Sequence, residues 1–114
     1  MSARSFSAAY ALSTTPTQLA LGSGVGPNDD LYITSATVVN SNASTQTVTI
    51  NLDSAGTGAA TANLVEYLGS CSVNKPYTTA LSGKILKAGG SIWASASTAT
   101  DMSLQISGQI IPST

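Results

Sequence analysis

Residues 102–110 read MSLQISGQI, and this stretch decides the fold class because apolar and polar side chains alternate along it. In an extended strand, side chains two residues apart lie on the same face. The two resulting sets are Met102, Leu104, Ile106 and Ile110 on one face, and Ser103, Gln105, Ser107 and Gln109 on the other. The pattern is typical of a strand that turns one face to a core and the other to solvent.

The same period-two pattern recurs along most of the chain, with turn residues between the segments about every ten residues. Helical periodicity is nearly absent. Together with 102–110, strands are expected at 17–21, 31–39, 46–52, 63–70, 78–85 and 91–97. The pattern therefore predicts an all-β fold, an antiparallel β-sandwich or jelly roll of about seven to eight strands.

Two hairpins are expected in this sandwich. Segment 31–39 would pair with 46–52 through a loop at 40–45, where the sequence reads NSNAST. Residues 97–101 would form the loop before the final strand.

In the expected strand 31–39, the apolar residues shift from odd-numbered to even-numbered positions. Ile33 and Val38 cannot both face inward in a regular strand. This change indicates a β-bulge near Ser35, or a strand that is covered on both faces.

The composition is poor in ionisable groups. Only nine of the 114 residues are charged and none is histidine, whereas 18 are serine and 15 are threonine. An ordinary soluble domain is about one quarter Asp, Glu, Lys and Arg. The net charge of −1 provides no basic patch for nucleic acid or an anionic membrane, and little repulsion between copies. The composition therefore predicts a protein that assembles with neighbours and is not an enzyme.

The length corresponds to one domain. We expect residues 1–16 to be an N-terminal arm that orders on docking or adds a strand to a neighbour's sheet, and residues 17–114 to be the sandwich domain. Phe6, Tyr10 and Leu12 would be the apolar anchors of this arm. The arm lacks the apolar run of a secretory signal, and no later segment has the length of a membrane span, so synthesis in a cytoplasm is expected.

Two polar or glycine-rich groups suggest ligands but have simpler explanations. The glycines within 22–26 are followed by no GK[ST] element and no helix, so a phosphate-binding loop is excluded. Asn28, Asp29 and Asp30 match the spacing of no calcium loop, and turn chemistry explains them, although a cation at this site stays open.

Candidate nucleophiles lack the partners that activate them. Ser72 and Lys75 have the S-x-x-K spacing, but Pro76 follows at once and no S-D-N or K-T-G element is present. Cys71 has no evident base and is expected to be a half-buried strand residue. Five carboxylates without an aromatic cleft do not indicate a glycosidase. No catalytic residue, metal site or cofactor is predicted.

Trp93 is expected on the outer side of its strand, because its neighbours Ile92 and Ala94 would face the core. Outward tryptophans are enriched at binding hot spots. The same ring would equally cap the core from a bulged position. Tyr32 and Tyr67 are further interface candidates of this kind.

The C-terminal part ILKAGGSIWASASTATDMSLQISGQI (85–110) resembles small β-sandwich virion proteins of tailed bacteriophages, in which an L-x-AG-x-SI-x-A-x-AS turn and strand lead into a V-x-I-SG strand. The likeness is carried by Leu86, Ala88, Gly89, Ser91, Ile92, Ala94, Ala96, Ser97, Ile106, Ser107 and Gly108. Upstream, LYITSATVVNSNASTQTVTINL (31–52) resembles a hairpin of the same group.

The resemblance implies a virion structural protein, and in particular a capsid decoration or cement protein. Its partners would be the major capsid protein and copies of itself in a homo-oligomer, with no nucleic acid, membrane or cofactor. Its place would be the capsid exterior of a virion assembled in the host cytoplasm. The alternative is a tail, neck or fibre component that binds a receptor or carbohydrate. Aromatic residues gathered on one exposed face would favour that alternative.

Overall fold

The computed structural model describes residues 3–21, 25–26, 28–53, 58–99 and 101–112. These residues form nine strands and one 3-10 turn, Thr61–Asn63. The strands are β1 (Arg4–Ala11), β2 (Thr17–Gln18), β3 (Asp29–Asn40), β4 (Gln46–Asp53), β5 (Leu64–Cys71), β6 (Pro76–Thr78), β7 (Ile85–Leu86), β8 (Ser91–Ala96) and β9 (Met102–Pro112).

The strands form two antiparallel sheets that pack face to face. The first sheet has the order β1-β9-β3-β6, and β7 also pairs with β3. The second sheet has the order β2-β8-β4-β5. The expected all-β antiparallel sandwich is therefore confirmed, with nine strands in the described part of the chain.

The core lies between the sheets and is formed by the inward side chains of both. Along β9 the apolar set is buried and the polar set is exposed or half-buried, as the alternation predicts. In the second sheet, Ile92 pairs with Leu52 and Ala94 with Ile50, so these residues share the core side. A fully buried leucine or isoleucine contributes about 2 kcal/mol, so this core is the main source of stability.

The two predicted hairpins, with loops at 40–45 and 97–101, are wrong. At both loops the chain passes from one sheet to the other, so the flanking strands do not pair with each other. β3 pairs with β9 in the first sheet, whereas β4 pairs with β8 and β5 in the second. The loop between β3 and β4 is a corner held by Asn40, which is fully buried. Its amide donates to the carbonyl oxygens of Ser44 at 3.0 Å and Cys71 at 2.9 Å. These bonds direct the chain from one sheet to the other.

The expectation of an N-terminal arm needs correction, because Arg4–Ala11 is strand β1 and pairs with β9 over its whole length. Phe6 and Leu12 are buried in the core. The Tyr10 hydroxyl donates to the carbonyl oxygen of Ala20 at 2.7 Å. The three residues expected to anchor an arm on a neighbour therefore attach the segment to its own sandwich.

A bulge interrupts β3 between Ile33 and Ser35, as the parity change predicts. Gly108 of β9 lies against this part of β3, and a Cβ atom there would overlap the carbonyl oxygen of Tyr32. Glycine allows this close approach of two backbones.

The segment 78–85 was expected to be one strand and is instead a turn between two short strands. β6 and β7 both pair with β3. Between them, Gly83 adopts a φ of 84° and donates its N–H to the Ile33 carbonyl oxygen at 2.7 Å. Leu81 lies in this turn and is fully buried in the core. An apolar residue in this segment therefore marks a buried turn and not a strand.

Candidate interaction surface

The outer face of the first sheet is formed by uncharged side chains, except at one end, where Asp30 pairs directly with Ile111. Residues that pair directly across antiparallel strands lie on the same face, so the registers identify the members. We use the name neutral face for its uncharged members, which are Ser5, Ser7, Ala9, Ala11, Tyr32, Ser35, Thr37, Val39, Pro76, Thr78, Ile85, Ser103, Gln105, Ser107, Gln109 and Ile111. All of these residues are exposed or half-buried. These residues offer hydroxyl and amide groups and contact area to a partner, and the charge of Asp30 at the end of the face is paired with Lys87.

An apolar group stands at one end of the neutral face. Tyr32 pairs with Ile85 on one side and with Gln109 on the other, and Ile111 lies two residues beyond Gln109 on β9. Tyr32, Ile85 and Ile111 are 38%, 46% and 42% exposed, respectively. We call these three residues the apolar corner. Exposed apolar groups with a polar rim are typical of protein-contact sites.

Two ion pairs lie at the same end of the sheet. Lys87 Nζ is 3.6 Å from Asp30 Oδ2, and Arg4 Nη2 is 3.3 Å from Asp29 Oδ2. Asp29 Oδ2 also accepts the N–H of Gly26 at 2.8 Å, which is the turn chemistry expected there, whereas Asp30 Oδ1 accepts the N–H of the distant Ala88 at 2.9 Å. Among the described residues, no group of three acidic, cysteine or histidine side chains has an arrangement that could hold a metal ion.

The outer face of the second sheet differs because residues 58–63, which we call the cover segment, are bound to it. Asp53, at the end of β4, is only 1% exposed. Its Oδ2 accepts the N–H of Gly58 at 2.6 Å and the hydroxyl of Ser91 at 3.0 Å. Trp93 in turn donates its Nε1–H to Ser91 Oγ at 2.9 Å. The carboxylate therefore ties the cover segment to two strands.

Amide side chains hold the rest of the cover segment. Asn51 pairs with Trp93 and faces outward, and it donates to the Ala60 carbonyl oxygen at 2.9 Å and to Asn63 Oδ1 at 2.8 Å. Asn63 donates to the Gly58 carbonyl oxygen at 2.8 Å. Within the described ranges, every buried side-chain nitrogen and oxygen has a hydrogen-bond partner. The buried polar groups of this face are thus used internally.

The three aromatic candidates lie in different places. Trp93 is on the outer side of β8, which is one of the two positions expected for it, but it is half-buried and bound to Ser91. Tyr67 is 67% exposed on β5, an edge strand of the same sheet. Tyr32 belongs to the neutral face of the other sheet. The structure therefore does not bring these rings together.

Ile85 and Ile111 are the members of the apolar corner that the sequence analysis missed. Ile111 directly follows the buried Ile110, and Ile85 directly precedes the buried Leu86. Adjacent residues of a strand face opposite ways, so one of each pair faces outward. Two large apolar residues in succession within a strand were therefore the feature of the sequence that indicates an exposed apolar side chain.

The reactive side chains near β5 have structural partners. Cys71 is fully rather than half buried, and burial, with a contribution from the Glu66 carboxylate, raises the pKa of its thiol to about 11. Glu66 accepts the Tyr77 hydroxyl at 3.0 Å and the Ala80 N–H at 2.8 Å, which links the two sheets. Burial raises the pKa of Tyr77, and its hydrogen bond to Glu66 raises it further.

Comparisons with protein-family models, curated proteins and solved structures find no match. No helix in the described ranges has the length and apolarity needed to cross a membrane. The two outer faces and the sheet edges are therefore the basis for a functional proposal.

Proposed function

We propose that this chain is a bacteriophage virion structural protein that decorates the capsid, and that its neutral face docks on the major capsid protein. The observation that carries the proposal is the neutral face of the first sheet, whose members are exposed or half-buried and which has a charged residue, Asp30, only at its end. The resemblance of residues 31–52 and 85–110 to small virion proteins supports the phage assignment.

The chemistry of the neutral face suits binding in many copies. Hydroxyl and amide side chains supply hydrogen bonds, and the apolar corner supplies contact area that can be removed from water. Each copy gains modest affinity, and a lattice of neighbouring sites strengthens attachment through multivalency. In this proposal each sandwich lies across a boundary between capsid subunits and stiffens the shell against the pressure of the packaged genome.

The alternative of a glycan-binding tail, neck or fibre component has less support. Tyr32 lies on the outer face of the first sheet, and Trp93 lies on the outer face of the second. Their rings therefore face away from each other and cannot stack on one sugar chain. Copy number per virion separates the positions, because a head lattice holds many copies and a neck or tail tip few.

Tyr32 and Tyr67 allow a matched test of docking, because the same residue type is exposed on opposite sheets. Heads assembled from the major capsid protein of the same phage are mixed with purified chain and sedimented, and the bound fraction is measured against concentration. We expect Tyr32→Ser to weaken binding about tenfold or more and Tyr67→Ser to leave it unchanged. Equal effects, or loss with Tyr67→Ser alone, would contradict docking through the neutral face.

A further inference from the structure

Strand β1 leaves one side of its backbone open at the edge of the first sheet. Leu12 donates its N–H to the Met102 carbonyl oxygen at 2.9 Å, and bonded and non-bonded pairs alternate along an antiparallel ladder. Because of this alternation, the N–H and C=O groups of every second residue of β1 point toward β9. Those of the residues in between point away from the sheet. The inward set is Arg4, Phe6, Ala8 and Tyr10, and the outward set is Ser5, Ser7, Ala9 and Ala11.

The outward side of β1 has none of the features that block pairing with another strand. Natural edge strands are protected by charged side chains, above all lysine, by proline, by a bulge or by short length. β1 runs for eight residues in unbroken register with β9. It contains neither proline nor lysine, its one charged residue, Arg4, belongs to the inward set, and its outward set has small, exposed side chains. A further strand therefore fits against it.

The other sheet edges are short or irregular. β2 has only two residues and follows Pro16, and β6 has three residues and begins with Pro76. β5 is longer, but its register against β4 shifts twice and Leu68 has a φ of 51°. Among the described strands, β1 is thus the regular and accessible edge.

We propose that β1 pairs antiparallel with β1 of a second copy of this chain, around a two-fold axis at Ala8. Pairing requires outward residues of one copy to face outward residues of the other. With the axis at Ala8, Ser5 faces Ala11 and Ser7 faces Ala9, so all four outward residues of each copy are bonded. An axis at Ser7 would leave Ala11 without a partner in this ladder.

The same register places compatible side chains opposite each other. Phe6 of one copy faces Tyr10 of the other, and aromatic cross-strand pairs stabilise sheets. Arg4 is the only charged residue of β1, and it faces Leu12, so like charges do not meet. The net charge of −1 also causes little repulsion between copies. These features favour a second copy as the occupant of this edge.

A groove beside β1 provides room for the second copy. It has a volume of about 460 Å³ and lies between the second half of β1 and the segment around β2. Tyr10, Leu12 and Leu19 are among its lining residues. In the Ala8 register, the end of the second copy's strand that carries Phe6 lies beside this groove. Pairing therefore removes apolar surface from water.

The dimer would join the two first sheets into one continuous sheet. The two neutral faces then lie side by side and form one surface of twice the width. The inference goes beyond the proposed capsid role, because the dimer forms in the purified chain without any capsid. If the chain is a monomer but still docks on the capsid through Tyr32, only the dimer inference is wrong. If the chain is a dimer but does not dock, only the proposed function is wrong.

Substitutions of Ala9 test the pairing, because its N–H points away from β9. Proline is tolerated on an edge strand where the N–H is not used, so Ala9→Pro should fold while losing a donor of the dimer ladder. Ala9→Thr keeps the donor and is the matched control. By analytical ultracentrifugation, we expect wild type and Ala9→Thr to be dimers and Ala9→Pro to dissociate about tenfold or more readily. A monomeric wild type, or an equally stable Ala9→Pro dimer, would overturn the proposal.

Cross-linking tests the register without proline. Facing residues of a bonded pair have Cα atoms about 5.5 Å apart, a distance that a disulfide can span. A mixture of Ser7→Cys and Ala9→Cys chains should give mixed covalent dimers under mild oxidation, whereas each variant alone should not. Cys71 is buried and does not compete. Self-cross-linking of Ser7→Cys, or absence of the mixed product, would overturn the Ala8 register.

Discussion

The two sheets of this sandwich have the same strand chemistry but different outer faces. The second sheet binds the cover segment, and its Asp53, Asn51 and Ser91 are buried in an internal network. The first sheet leaves its neutral face exposed or half-buried. Polar residues on a strand therefore do not by themselves indicate a binding surface, because a neighbouring segment of the chain can use them. The substitutions below test this difference.

Asp53→Ala should have the largest effect on stability. It removes the acceptor of the Gly58 N–H and the Ser91 hydroxyl, and each buried group left unpaired costs about 1–3 kcal/mol. We expect a loss of about 3 kcal/mol in the free energy of unfolding, measured by urea denaturation.

Asp30→Ala is the control for this loss. Asp30 lies at the end of the open face, pairs with Lys87, whose side chain is largely exposed, and accepts the N–H of the exposed Ala88 at 2.9 Å. Its removal should cost less than about 1 kcal/mol. Similar losses for the two aspartates would contradict the difference between a covered and an open face.

Trp93→Phe should have an intermediate effect. The substitution keeps an aromatic ring and removes the Nε1–H that Trp93 donates to Ser91, which costs about 1 kcal/mol. Because Trp93 belongs to the covered face, capsid attachment should not change. Loss of attachment without loss of stability would transfer the docking role to the second sheet.

The pH dependence of stability in the alkaline range tests the burial of Cys71 in the core between the two sheets. The pKa of Cys71 rises from 9.0 to about 11 on burial, so the folded chain holds this proton more tightly than the unfolded chain does. The corresponding stability is complete below pH 9 and is lost as the pH rises toward 11. Cys71→Ala should lose less stability than the wild type between neutral pH and pH 11. The measurement is the urea midpoint of each protein at a series of pH values, each compared with the midpoint of the same protein at neutral pH. Parallel curves for the two proteins would show that the thiol is not the cause.

Substitutions in the apolar corner should have the smallest effect on stability. Ile111→Ser and Tyr32→Ser change exposed side chains, so each should cost less than about 1 kcal/mol. Both should nevertheless weaken capsid attachment. A loss of several kcal/mol in unfolding would show that the corner serves the fold.

Salt should have little effect on attachment, because the neutral face is uncharged and Asp30 at its end is already paired with Lys87. Ion pairs between exposed groups weaken as salt screens them. Binding isotherms at low and high salt should therefore coincide. A steep fall in affinity with added salt would indicate docking through the few charged residues.

Local alternation was sufficient to predict the all-β class, the bulge near Ser35 and the side of β8 that carries Trp93. It failed for the pairing of strands, because the corner at Asn40 is made by a side chain that binds Cys71, far along the chain. Strand β1 was missed as part of the sandwich because serine and alanine weaken its apolar signal.

The candidate surface was only partly predictable. Tyr32 was identified, but the cover segment that buries the environment of Trp93 depends on contacts of Asp53 and Asn51 with residues 58–63. Such contacts are set by tertiary packing and leave no periodic pattern. The outward positions of Ile85 and Ile111 were readable from adjacent apolar pairs, which deserve the same weight as alternation.

The most direct test of the central claim is a reconstruction of the assembled virion by electron cryomicroscopy. The account predicts many symmetry-related copies on the head, each with the neutral face of its first sheet against the major capsid protein and the cover segment toward solvent. Copies confined to the neck or tail, or a capsid contact made through the cover segment and Trp93, would contradict it.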